Sequence, residues 1–209
     1  MLYRALVEHQ CAEIPSEWAV SVCFTPANAE EEMRNWLEPH FASRARFLPQ
    51  VDGDLGQRLI AIVRTEFAGG CERIFLIGGD CPSLSHDYFR QADAALDSND
   101  VVIGPAQDGG YVLLGLKQPL DTLGITGLDR CDSSRPRGFD SLFTNITWSS
   151  SAVLDQTLLA AHNHNLSVRL LHPLADIDDA ASLNDQSELI RSFNEKCQGR
   201  GVKRDSSRR

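Results

Sequence analysis

"RIFLIGGDCPSLS" (residues 73–85) runs four apolar residues straight into two glycines, an aspartate and a proline. Ile74, Phe75, Leu76 and Ile77 are continuous rather than alternating, the pattern of a strand buried on both faces. In open α/β sheets ligands sit where the chain leaves the carboxyl ends of the strands. Asp80, beside Gly79 and fixed in direction by Pro82, therefore stands at the ligand edge. Its hard oxygens suit Mg²⁺ or Mn²⁺, which would bridge to diphosphate oxygens. The same carboxylate could instead cap the helix beginning near Ser85 or stabilise its own turn.

The neighbouring segments alternate between strand and helix patterns. "AVSVCFT" (19–25) reads as a strand and "ANAEEEMRNWLEPH" as a helix, followed by a weaker strand, "RARFLPQ" (44–50). "DLGQRLIAIVRTEFAGG" is a helix with Asp54 as N-cap and Gly69 or Gly70 as its stop. A helix opened by Ser85 comes next, then two strand-like pieces around a glycine turn in "VVIGPAQDGGYVLLGL". "SSAVLDQTLLAAHNHN" is a helix, "SVRLLHPLADI" a strand and "DAASLNDQSELIRSFNEK" a last helix. Such alternation predicts a mostly parallel sheet covered by helices on both faces. Residues 121–141 are turn-rich and read as a long surface loop, either a binding element or an inert insertion.

With 209 residues the chain suits one α/β domain, expected over 1–196, with a basic disordered tail at 197–209. A net charge of −9 argues against a nucleic-acid partner, because phosphate binding needs a basic surface. A phosphate-bearing substrate would then need local cations or a metal. No run approaches a membrane span of about 20 apolar residues. The six cysteines form no C-x-x-C pair and "MLYRALVEHQ" lacks signal-peptide character, so a cytoplasmic protein with reduced cysteines is expected.

Two further acidic segments follow strand patterns. In "GPAQDGGYVLLGL" (104–116), Gly109 and Gly110 permit close backbone approach, Asp108 precedes them, and Tyr111 could stack or hydrogen-bond at the opening of a site. Asp-Gly is also a strong hairpin signal. In "LADIDDAAS" (174–182), Asp176, Asp178 and Asp179 join a strand to a helix, where carboxylates are favoured by capping and the helix dipole in any case. No dinucleotide fingerprint, P-loop or nucleophile elbow occurs. Cys81 beside Asp80 reads as core packing, since a neighbouring carboxylate raises a thiol's pKa.

"LIGGDCPSLS", "DVVIGPAQDGGYVLLGL", "ITWSSSAVLDQT" and "LLHPLADIDDAASL", in this order and spacing, resemble the bacterial glycosyltransferase-A-like family of selenodomain-associated transferases. The resemblance covers roughly Leu2 to Leu189. It implies a single-domain, three-layer nucleotide-diphospho-sugar transferase fold, and metal-dependent glycosyl transfer from a nucleotide sugar to an unknown acceptor. Nucleotidyl transfer from a nucleoside triphosphate, as in cofactor guanylyltransferases, is the related alternative; an inactive binding remnant is the third. By position, Asp80 and Asp178 would hold the metal, and an acceptor hydroxyl would lie near the catalytic Asp108. Gly79, Gly109, Gly110, Tyr111, Trp148 and Ser149 would line the substrate site, with Arg58 a phosphate contact. The family begins with an apolar strand and a basic Pro-Gly-x-x-Lys-Thr-Arg-Leu loop, and "MLYRALVEHQ" resembles the helix after them. An exposed strand edge is therefore expected, and with it a possible homodimer.

Overall fold

The structure, a computed structural model, describes residues 2–118 and 139–175. Its elements run α1 (Leu2–Glu13), β1 (Val20–Phe24), α2 (Glu30–Phe41), β2 (Ala45–Pro49), α3 (Leu55–Ala68) and β3 (Arg73–Ile77). They continue with α4 (His86–Ala95), β4 (Val101–Pro105), β5 (Tyr111–Lys117), α5 (Val153–Asn163) and β6 (Val168–Leu170). Most of loop 121–141, the expected last helix and the tail lie outside the described residues.

Local chemistry sets the helix boundaries. Asp54 Oδ1 accepts from Gln57 N at 2.8 Å while Gln57 Oε1 accepts from Asp54 N at 2.9 Å, a reciprocal cap on α3. Gly69 and Gly70 end that helix, the latter at φ +92°. Ser85 Oγ accepts from Tyr88 N at the start of α4. A second cap there is not readable from local sequence: Glu13, from the end of α1, accepts from His86 N at 2.9 Å.

The strands form a parallel pair, β1–β2, and a four-stranded sheet in the order β3-β5-β4-β6. β5 runs antiparallel to both β3 and β4, whereas β6 is parallel to β4. The expected mostly parallel sheet is thus a mixed one. Only Ala106–Gly110 join β4 to β5, too short for a crossover helix, so β5 must return antiparallel. β6 is shorter than its sequence pattern, although Leu174 still bridges Ala106 beyond it.

The core confirms that the central strands are covered on both faces. Leu113 packs on the α4 side with Phe89, Leu84 and Val102; its neighbour Leu114 packs on the opposite side with Val63, Leu142 and Ala161. Both leucines are fully buried, as are Val101, Val102 and Ile103. Alternation of side chains across the sheet produces this division.

Among the described residues β1 pairs only with β2 and β3 only with β5, so each keeps an unpaired edge. Trp18, ahead of β1, stacks on Phe75 of β3 at 4.7 Å, and Ser21 of β1 hydrogen-bonds Glu66 of α3 at 2.7 Å. α1 lies between α2 and α4. Arg4 pairs with Glu32 and covers the Trp36 ring, Glu8 accepts from Trp36 Nε1, and Glu13 holds α4.

Gln10 of α1 is 3% exposed, and neither atom of its amide has a hydrogen-bond partner among the described residues. An unpaired buried amide costs about 1–3 kcal/mol, and an apolar replacement of similar shape removes that cost. Gln10→Leu is therefore expected to raise the urea midpoint by the equivalent of about 1 kcal/mol at unchanged m-value. A lowered midpoint would show that the amide is satisfied.

Candidate active site

β3 and β4 both run antiparallel to β5, so their carboxyl ends leave the sheet on one side. The last pairs are Ile77 with Leu113 and Pro105 with Tyr111, so Asp80, three residues past Ile77, and Asp108, between Pro105 and Tyr111, leave the sheet at the same end. Asp80 and Asp108 thus share one rim, on either side of the start of β5. Ser85 and Glu13 cap α4, which leaves Asp80 free of that task. Its carboxylate bends back over Gly78, with Oδ1 2.7 Å from where a side chain at 78 would begin. It makes no hydrogen bond or ion pair among the described residues.

The β4–β5 turn is held from two directions. Asp108 Oδ1 accepts from Gly110 N at 2.8 Å, and Gly109 O accepts from Leu154 N at 2.9 Å, tying the turn to the first turn of α5. Gly109 has φ +95°, and any side chain there would collide with the Ser151 backbone. Asp108 therefore serves as the hairpin residue that Asp-Gly suggests, at an exposed position.

The remaining predicted residues divide between rim and core. Tyr111 turns inward: it packs against the same core cluster as Trp148 and Leu154, its hydroxyl is buried near that of Thr157, and burial pushes its pKa up to about 12. The Thr157 hydroxyl, also buried, acts in the opposite direction on that phenol. Trp148 is half-buried, its indole nitrogen 3.2 Å from where a side chain on Gly56 would start, so it packs over the first turn of α3. Ser149 is exposed at φ +59°. Arg58 spends Nε on Gly53 O (3.0 Å) and one Nη on Gln50 Oε1 (3.3 Å), which orders the loop after β2 and leaves further donors.

Asp178 lies outside the described residues. The chain before it is placed: Leu174 bridges the end of β4, and the Ala175 carbonyl is 3.6 Å from Cys81 Sγ, one residue from Asp80. Cys81 is buried and, like Cys11, Cys23 and Cys71, in no disulfide among the described residues. No group of three His, Cys, Asp or Glu able to hold a metal occurs among the described residues. Two open cavities of about 400 and 500 Å³ lie elsewhere, one between Asn145 and α5, the other between Arg4 and Trp36. Neither is lined by Asp80 or Asp108, so the rim is singled out by its chemistry and topology rather than by enclosure.

Sequence reasoning missed Tyr3. Were Gly79 to carry a side chain, it would start 2.9 Å from Val7 Cγ2 and 3.1 Å from the Tyr3 hydroxyl. The absent side chain at 79 is thus what lets α1 close on the rim. The glycine was the only local signal, and it cannot name its distant partner.

A family model described as "Uncharacterized protein conserved in bacteria (DUF2064)" matches residues 9–150. No curated protein matches. Among solved structures, a crystal structure of a "putative nucleotide-diphospho-sugar transferase" from Desulfovibrio desulfuricans G20 superposes with a TM-score of 0.69 at 24% identity. The match covers 92% of this chain and 85% of that one. At this identity the likeness is one of fold. No helix among the described residues is long and apolar enough to cross a membrane.

Proposed function

We propose that this chain, which belongs to the bacterial DUF2064 family, is a metal-dependent transferase that takes a nucleotide sugar as donor and moves its sugar to an acceptor hydroxyl. The observation that carries the reading is Asp80: a carboxylate without a hydrogen bond or ion pair among the described residues, just past the end of β3 and on a glycine-lined rim. Such a group fits Mg²⁺ or Mn²⁺, which bind proteins through one or two carboxylates and take other ligands from substrate phosphates. A second carboxylate at Asp178, which lies outside the described residues, belongs to the same proposal. When bound, the ion would offset charge gathering on the leaving diphosphate. The nucleotide-diphospho-sugar transferase likeness of the fold supports the donor class.

The chain's own groups would do the rest. Gly79, Gly109 and Gly110 let α1, Ser151 and Asp108 close on the backbone that forms the rim, and Arg58 offers its remaining donors to phosphate. Asp108, with Oδ1 committed to Gly110 N, has its other oxygen available to accept the proton of an attacking hydroxyl. Trp148 and Ser149 border this side, while Tyr111 supports the turn from within. The unpaired β1 and β3 edges make a homodimer part of the same proposal, and gel filtration that shows a monomer at all concentrations would remove it.

Calorimetry with UDP-sugars, GDP-sugars and GTP, each with and without Mn²⁺, tests the proposal. Metal-dependent binding of one nucleotide sugar is expected. Preference for GTP would favour nucleotidyl transfer, and no metal-dependent binding by any of them would leave a protein without this chemistry.

A further inference from the structure

The rim has two sides. Asp108 and the β4–β5 turn lie toward the β4 edge of Asp80, whereas α1 covers the opposite side, between α2 and α4. On that second side stands Tyr3, 61% exposed, with its hydroxyl end against Gly79. A single exposed aromatic is ordinary on a protein surface. Tyr3 differs because its helix is pinned along its length. Arg4 and Glu8 fasten it to Glu32 and Trp36 of α2, Cys11 is buried in the cluster beneath α2, and Glu13 is bound to the first turn of α4. The helix that carries Tyr3 is thus held in place beside the rim.

We infer that Tyr3 is the platform on which the base of the bound nucleotide stacks. The inference rests on the transferase reading above and adds an orientation to it. With the diphosphate at Asp80 and the transferred sugar toward Asp108, the nucleoside leaves on the α1 side. There an aromatic face offers stacking to any base, because every base presents a π-face. Gly79 has no side chain, which lets Tyr3 close on the backbone one residue from Asp80.

The test compares the better bound of UDP and GDP with inorganic pyrophosphate, all with Mn²⁺, on wild type, Tyr3→Phe and Tyr3→Ala. Tyr3→Ala is expected to weaken the nucleoside diphosphate roughly tenfold, the scale of one stacked base. Pyrophosphate, which has no base, keeps its affinity, and Tyr3→Phe behaves like wild type. Unchanged nucleotide affinity in Tyr3→Ala overturns the inference while the metal site stands. Equal weakening of pyrophosphate also overturns it, since Tyr3 would then only hold α1 in place. If wild type binds none of these probes with Mn²⁺, the transferase reading itself falls and takes the inference with it.

Discussion

Gly109→Ala is expected to destabilise the protein by about 3 kcal/mol, among the largest single-residue effects available in this fold. Two costs add. The backbone at φ +95° is open to glycine and strained for any other residue. The new Cβ would also meet the Ser151 main chain, which cannot swing aside as a side-chain end could, because Leu154 N is bonded to Gly109 O. Urea unfolding read by far-ultraviolet circular dichroism measures the loss. A change below about 0.5 kcal/mol would mean that the turn relaxes freely and does not fix Asp108 on the rim.

Leu114→Ala is the second large effect, expected at about 3 kcal/mol within the 2–5 kcal/mol range for buried leucines. Leu114 is fully buried between β5 and the helices on the α3 side, where Val63, Leu142 and Phe143 surround it. Phe89→Ala empties the other face of the same sheet. The two cavities share no lining residues, so the double variant should equal the sum of the singles to within about 0.5 kcal/mol. A clear departure would show that the two faces are coupled through the strand backbone.

What could be read without coordinates was local. Asp54, Ser85 and the Gly69–Gly70 pair announce their helix ends because capping depends on residues three or four apart. The continuous apolar run of β4 announces burial on both faces, whereas the similar run of β3 belongs to a sheet edge where only Ile74 is buried. The reversal of β5 was present in the five-residue turn, yet the apolar pattern of a buried strand is the same in either direction. Tyr111 follows the same logic: alternation places it on one face, and only the packing of α5 and Trp148 decides that this face is inside. Glu13 at the start of α4 and Tyr3 against Gly79 each join residues more than seventy positions apart, and no periodicity reports such a contact.

The account depends on Asp80 as a ligand for a divalent ion, and Mn²⁺ can be counted directly by its paramagnetic resonance. Titrating Mn²⁺ into wild type and Asp80→Asn, each saturated with the nucleoside diphosphate that calorimetry selects, measures bound against free ion. Asp80 has no hydrogen bond or ion pair to lose among the described residues, so the variant should unfold at the wild-type urea midpoint. The expected result is one bound ion in wild type and its loss, or at least a hundredfold weakening, in Asp80→Asn. Equal Mn²⁺ binding by the two folded proteins would contradict the account.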